Sequence, residues 1–151
     1  MGSNGPTSSI DLSVYRNLNL GEYTDEPTLN NSEARIILQK TLEARRAKNG
    51  GVATEESEIL WKTREHLDLF AAFKELPEAQ QAEGIINARG RGLERFEKSQ
   101  LGSLVPENAE AAKTLIPSLE KKVEDGLVSE EDLNGICEDL ARVKRQAFIG
   151  T

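Results

Sequence analysis

From residue 31 onward, apolar side chains recur every three or four positions, the spacing of one face of an α-helix. The first stripe is Ala34, Ile37, Leu38, Thr41 and Leu42. Asn31 and Ser32 suit a helix cap, Glu33 sits where the helix dipole favours an acid, and Asn49-Gly50-Gly51 supplies a left-handed stop. The pattern predicts a second helix from Thr54 or Glu55 to Lys74, opened by Glu55, Glu56 and Glu58. It carries two apolar stripes side by side: Leu60, Thr63, Leu67, Phe70 and Ala71, then Ile59, His66, Leu69 and Phe73. At about 100° per residue the two span about 200° of circumference, roughly twice what a surface helix needs. Such a helix is either central to its domain or turns one side to another protein.

Pro77 opens a third helix, because its missing N–H costs nothing at the first helical position. Ala82, Ile85 and Ile86 form its apolar face, and Gly84 weakens it by about 1 kcal/mol relative to Ala. Arg89-Gly90-Arg91-Gly92 follows, a basic joint that reads either as a loop or as an arginine-glycine contact to RNA. Phe96, Gln100, Leu101 and Leu104 predict a short fourth helix, and Ala109 to Leu115 a fifth, the two separated by Pro106 and Asn108. Pro117 ends the fifth by disfavouring helical geometry at Ile116. Gly102, Ser103, Ala111 and Ala112 permit close approach, so this region reads as a tight packing unit. The last helix starts at the cap Ser129, with Asp132 three positions on as a variant capping box. Leu133, Ile136, Cys137, Leu140 and Val143 share a narrow arc, so Cys137 is expected to be a small buried hydrophobe.

Residues 1–31 are rich in Ser, Asn, Gly, Pro and Thr and read as a mostly flexible tail. Within it Leu18, Leu20 and Tyr23 form an apolar patch around Gly21, near 18–23, which cannot make a sheet alone; it reads as disordered, or as lying on a partner or on this domain.

Composition narrows the function. The chain has 151 residues, 37% apolar, with a net charge of -7, which repels phosphate backbones. The nearest approach to a basic run is Arg45, Arg46 and Lys48, where a helix end also favours cations. A single cysteine excludes an internal disulfide and fits a reducing compartment. No apolar run approaches the ~20 residues needed to span a bilayer, and neither a secretory leader nor a myristoylation pattern is evident, since Pro6 stands where Ser or Thr is needed. The expectation is an intracellular, soluble protein.

Catalytic chemistry finds no footing. His66 is the one histidine and lies on an apolar stripe, so it is expected to be packed or partner-facing. Glu124 to Leu133 has the outline of the second half of a calcium loop. With Gly126 as its sixth position, however, the first and third ligands would be Lys121 and Val123, which cannot bind a hard cation. Neither a zinc set nor a cofactor motif is present. No metal, no cofactor and no catalytic residue are expected.

Three segments carry a resemblance. "FEKSQLGSLVPENAEAAKTLIPSL", from Phe96 to Leu119, resembles the signature of the family of the fourth subunit of RNA polymerase II. Its marked positions here are Phe96, Glu97, Gln100, Leu101, Gly102, Leu104, Thr114, Leu115, Ile116, Pro117, Ser118 and Leu119, all expected to be structural. "NNSEARIILQKTLEARR" and "HLDLFAAFK" are similar to two further family segments, so the likeness spans about residues 30 to 148. Departures are the extra residues from Val123 to Ser129 around Gly126, Gly135 inside the last helix, and the joint from Arg89 to Gly92.

The resemblance implies an all-α, HRDC-like helical domain over 54–148, preceded by a docking helix over 32–50 and the tail. It implies a non-catalytic subunit that pairs with the seventh polymerase II subunit, an OB-fold protein, to form the stalk on the polymerase core. RNA would be contacted mainly through that partner. Roles in initiation and in RNA processing, export and decay would follow, in the nucleus with possible shuttling to the cytoplasm. Leu18, Leu20, Tyr23, Ile59, Leu69 and Phe73 are the expected partner contacts. The alternatives are the paralogous stalk subunit of RNA polymerase III and a free HRDC-type nucleic-acid-binding module.

Overall fold

A computed structural model describes residues 20–23, 25–52 and 56–149. They form an all-α fold of seven α-helices after a short 3₁₀ turn at Gly21–Tyr23, with no strand among the described residues. The helices are α1 (Asn31–Lys48), α2 (Glu58–Phe70), α3 (Leu76–Arg89), α4 (Arg95–Leu104), α5 (Ala109–Leu115), α6 (Ser118–Glu124) and α7 (Glu130–Ile149). Five of the predicted helices appear within a few residues of expectation; α2 is shorter, and α6 was not anticipated.

The core is built on α3 and α7, the most extensively packed pair. Arg89, the last residue of α3, crosses Gly135 in the first half of α7, so the two helices run antiparallel. Ala79, Ala82 and Ile86 of α3 join Leu133, Ile136, Cys137, Leu140 and Val143 of α7 in one cluster with Leu101, Ile116 and Leu119. Gly135 is thereby explained: a Cβ there would lie 1.6 Å from Arg89 Nη1. The guanidinium reaches Asp139, Nη2 to Oδ2 3.5 Å, through the space the glycine leaves.

Pro117 ends α5 as expected, with Ile116 out of helical geometry at φ -127, ψ 81. Pro117 itself sits at φ -59, ψ -23, helical geometry, and the unanticipated α6 starts directly behind it. The extra residues after Val123 complete α6. Gly126, at φ +70, lets Leu127 N–H donate to Lys122 O (2.9 Å) and Gly126 N–H to Val123 O (3.0 Å), the paired bonds of a Schellman stop. The joint after α3 packs against this stop, since a Cβ on Gly92 would lie 2.1 Å from Leu127 O. The glycine of the Arg-Gly joint therefore has a packing reason.

α2 is the main departure. It starts at Glu58 behind the cap Ser57 and ends at Phe70, because Ala71 leaves helical geometry at φ -64, ψ 122. Residues 71–75 become a connector, which carries Phe73 out of the helix and into the core at 0% exposure. Its backbone N–H donates to the buried Ser32 Oγ at 3.0 Å. α2 is not buried on two sides: Leu67 is its one buried residue, and Leu60 is half-buried.

Candidate partner-docking surface

The signature run forms a seam rather than a cleft. Glu97 in α4 is fully buried, and its carboxylate accepts Ser118 Oγ–H at 2.6 Å and Glu94 N–H at 2.8 Å. The Phe-Glu and Pro-Ser-Leu ends of the signature, distant in sequence, are therefore joined by one buried hydrogen bond. Lys122 Nζ on Glu94 Oε1 (2.9 Å) adds a second tie between the start of α4 and α6. Gly102 and Ser103 receive the start of α1. A Cβ on Gly102 would stand 2.9 Å from Asn30 Nδ2, and Asn31 N–H donates to Ser103 Oγ at 3.0 Å. Asn30 caps α1 in a reciprocal box, with Glu33 N–H on Asn30 Oδ1 (2.9 Å) and Asn30 N–H on Glu33 Oε2 (2.8 Å).

Within the signature Glu97, Leu101, Gly102, Ile116, Ser118 and Leu119 are buried, and Phe96 and Pro117 are half-buried. Gln100, Leu104, Thr114 and Leu115 are exposed.

The expected partner contacts separate into three groups. Ile59 and Leu69 lie on the outward half of α2, at 79% and 72% exposure. Leu20 is half-buried and Tyr23 exposed on the 3₁₀ turn. The segment that follows is tied to α4, not α2: Thr28 Oγ1 donates to Arg95 O at 2.9 Å and accepts Ser99 Oγ–H at 2.5 Å. Leu18 lies outside the described residues. Phe73 is corrected: it is a core residue, because the helix that was to display it ends three positions earlier.

Phe70, placed on the stripe with Leu60 and Leu67, was missed as a surface residue: it is 55% exposed. Trp61, in neither stripe, is 53% exposed on another side of α2. His66 is exposed and lies against Phe70 with ring centroids 4.7 Å apart. Of the apolar residues of α2 only Leu60 and Leu67 line the seam with α1, so Ile59, His66, Leu69 and Phe70 form an uncovered apolar face. The signal was available in the width of the apolar arc. What the pattern could not tell was which half α1 would cover.

Among the described residues no group of three His, Cys, Asp or Glu could hold a metal ion, and no helix is long and apolar enough to cross a membrane. Burial pushes the Cys137 thiol up to about 11, which makes it a poor nucleophile. Lys113 is held above its ordinary value by its hydrogen bond to Glu130, at 2.9 Å, a link between α5 and α7.

Comparison with known proteins gives a consistent result. Residues 28–144 match the family model described as RNA polymerase Rpb4. "DNA-directed RNA polymerase II subunit rpb4" of Schizosaccharomyces pombe is 35% identical over 129 residues, covering 85% of this chain and 89% of that protein. "DNA-directed RNA polymerase II subunit 4" of Arabidopsis thaliana is 27% identical over 124 residues, covering 82% and 87%. "DNA-directed RNA polymerase II subunit RPB4" of Saccharomyces cerevisiae is 34% identical over 87 residues, covering 56% of this chain and 35% of that protein. With the matched region running from Thr28, just before the Asn30 cap, to Lys144 in α7, this chain belongs to the Rpb4 family, that of the fourth subunit of RNA polymerase II.

Proposed function

We propose that this chain is a non-catalytic subunit of DNA-directed RNA polymerase II and pairs with the seventh subunit to form the stalk. Family membership over residues 28–144 supports the polymerase assignment. The observation that carries the pairing is the outward face of α2, where Ile59, Leu69 and Phe70 are all more than half exposed. Single exposed apolar residues are ordinary, but three along one side of a short helix are the mark of a surface that another protein covers. Leu20 and Tyr23 extend the contact from the entry segment. The stalk then supports initiation and couples the enzyme to RNA processing, export and decay, with RNA reached mainly through the partner. The protein works in the nucleus and shuttles to the cytoplasm.

An affinity pull-down of the tagged chain from nuclear extract, read by mass spectrometry, tests this directly. Recovery of the seventh subunit with the large polymerase II subunits is the expected result. Polymerase III subunits in their place would keep the fold and reassign the machine. The same pull-down with Ile59→Asp/Leu69→Asp is expected to lose the seventh subunit while the chain stays helical. Unchanged recovery would remove α2 from the interface.

A further inference from the structure

A groove of about 420 Å³ runs along the seam between α1 and α2, a volume in the range of sites that bind ligands. Its floor is apolar: Leu38 and Leu42 from α1 meet Leu60 and Leu67 from α2. Its charged lining is partly neutralised within the chain. Arg35 Nε pairs with Asp68 Oδ1 at 2.7 Å, and Arg64 Nη1 with Glu56 Oε1 at 2.5 Å. Arg45 and Arg46 stand apart. Both are exposed on the lining, and no carboxylate among the described residues pairs with either. Arg46 Nε donates to Gly51 O at 3.0 Å, a neutral acceptor that holds the side chain in place. Opposing them on the lining is Glu43, whose Oε1 accepts Gln39 Nε2–H at 3.1 Å.

We infer that this groove docks an acidic amphipathic peptide segment of another protein. Such a segment would place leucine-like side chains on the floor, and its carboxylates would meet Arg45 and Arg46. Charge complementarity selects the occupant. A cationic lip is a local reversal in a chain of net charge -7, so it attracts an acidic segment that the rest of the surface repels. Helix-in-groove recognition uses this combination of an apolar floor and a charged edge. A nucleic acid fits less well. Glu43, Glu56 and Asp68 all line the groove, and its floor offers leucines rather than aromatic rings on which bases stack. The inference does not rest on pairing with the seventh subunit, since the floor residues are on the inner side of α2 and Ile59 and Leu69 on the outer.

The test is fluorescence anisotropy of the full chain with a labelled peptide of about 15 residues, leucines at helical spacing and Asp or Glu elsewhere. Two control peptides replace the acids with Lys, or the leucines with Asn. The acidic leucine peptide alone should bind, and added salt should weaken it. Arg45→Gln/Arg46→Gln should reduce affinity about fivefold, as expected for two lost surface ion pairs. Arg91→Gln/Arg95→Gln, equal in charge and remote from the groove, should leave affinity unchanged. Circular dichroism checks that each variant stays folded. Because the control peptides leave the protein untouched, the inference stays falsifiable if a variant misfolds. Equal binding of the acidic and basic peptides, or equal loss in both arginine pairs, would overturn it. Tighter binding of oligouridylate at the same two arginines would overturn it in favour of RNA.

Discussion

Two glycines lie inside helices against a neighbouring side chain, and the same substitution should have opposite effects at them. At Gly102 in α4, an added Cβ would sit 2.9 Å from Asn30 Nδ2 and 3.3 Å from its Cβ and Cγ. Asn30 cannot yield freely: it is 4% exposed, its Oδ1 caps α1 through Glu33 N–H, and the next residue donates to Ser103. Gly102→Ala gains about 1 kcal/mol of helix propensity. Against that, forcing a methyl into a packed contact costs about 1–3 kcal/mol and losing the cap about 1 kcal/mol more. The net expectation is a loss of about 1–3 kcal/mol, read as a lower midpoint in urea denaturation with an unchanged slope. At Gly135 the obstruction is the Arg89 guanidinium, the mobile end of a half-exposed side chain whose contact to Asp139 is a 3.5 Å surface pair. Arg89 can swing aside and forfeit about 0–1 kcal/mol, which the propensity gain offsets. Gly135→Ala should be neutral or slightly stabilising. The decisive variant is Asn30→Ala/Gly102→Ala: if the clash is the cause, the cost of the alanine should vanish once Asn30 is cut back, a coupling of about 1 kcal/mol or more. Additive effects would refute the reasoning.

Further outcomes follow from the same contacts. Glu97→Ala strands Ser118 and Glu94 N–H in the interior and should cost about 2–4 kcal/mol by chemical denaturation, while Glu97→Gln, which keeps an acceptor, should cost about 1 kcal/mol. Phe73→Asp should unfold the isolated chain, whereas Leu69→Asp should change its stability by no more than about 0.5 kcal/mol; equal effects would contradict the placement of Phe73 in the core. Cys137, with its thiol raised from 9.0 to about 11, should react with a disulfide reagent at pH 8 only after unfolding. Its thiolate fraction is lowered about a hundredfold by that shift, on top of burial, so fast labelling of the native chain would contradict it. Hydrogen exchange should find α2 and the second half of α1 the fastest-exchanging helices, and α3 and α7 the slowest.

Most of the fold was legible because five helices announce both their apolar stripe and their ends. α1 shows Asn31, Ser32 and Glu33 at one end, a residue or two inside the actual cap Asn30, and Gly50-Gly51 at the other, and α7 shows Ser129, whose Oγ accepts Asp132 N–H at 3.0 Å. α6 was hidden because Pro117 reads locally as a stop, yet its fixed φ also suits the residue just before a helix. The candidate surface was half legible. Periodicity measures how much of a helix is apolar, and it found on α2 an apolar arc wider than a surface helix needs. It does not specify which half is covered, since that depends on where α1 packs, a contact between residues far apart in sequence. Phe73 was misplaced for a related reason: the "FAAFK" run continues the helical spacing, and the contacts that accompany the break, core burial of Phe73 and its N–H bond to Ser32 in α1, are distant in sequence. Buried Glu97 was the hardest to foresee, because nothing in a local pattern shows that the seryl hydroxyl which satisfies it comes from Ser118.

These contacts divide α1 into two regimes. Its first turns are held from three directions, by Gly102 and Ser103 of α4, by the Phe73 connector through Ser32, and by the core through Ile36. Beyond Ile36 no residue of α1 is buried, and the helix it pairs with there buries Leu67 alone. By the measure of apolar area removed from water, this hairpin contributes little to stability compared with α3 and α7, each with several buried side chains. Its geometry is nonetheless set, because α1 is fixed at its root and α2 at Leu67 and Ala71. A projecting pair of helices, oriented by the domain but short of its own core, is suited to complete itself against another protein. Binding there gains apolar burial without first disrupting any buried contact of the free chain. For that reason the outer face of α2 and the groove beneath it are the two places where a partner's contribution to stability should be largest.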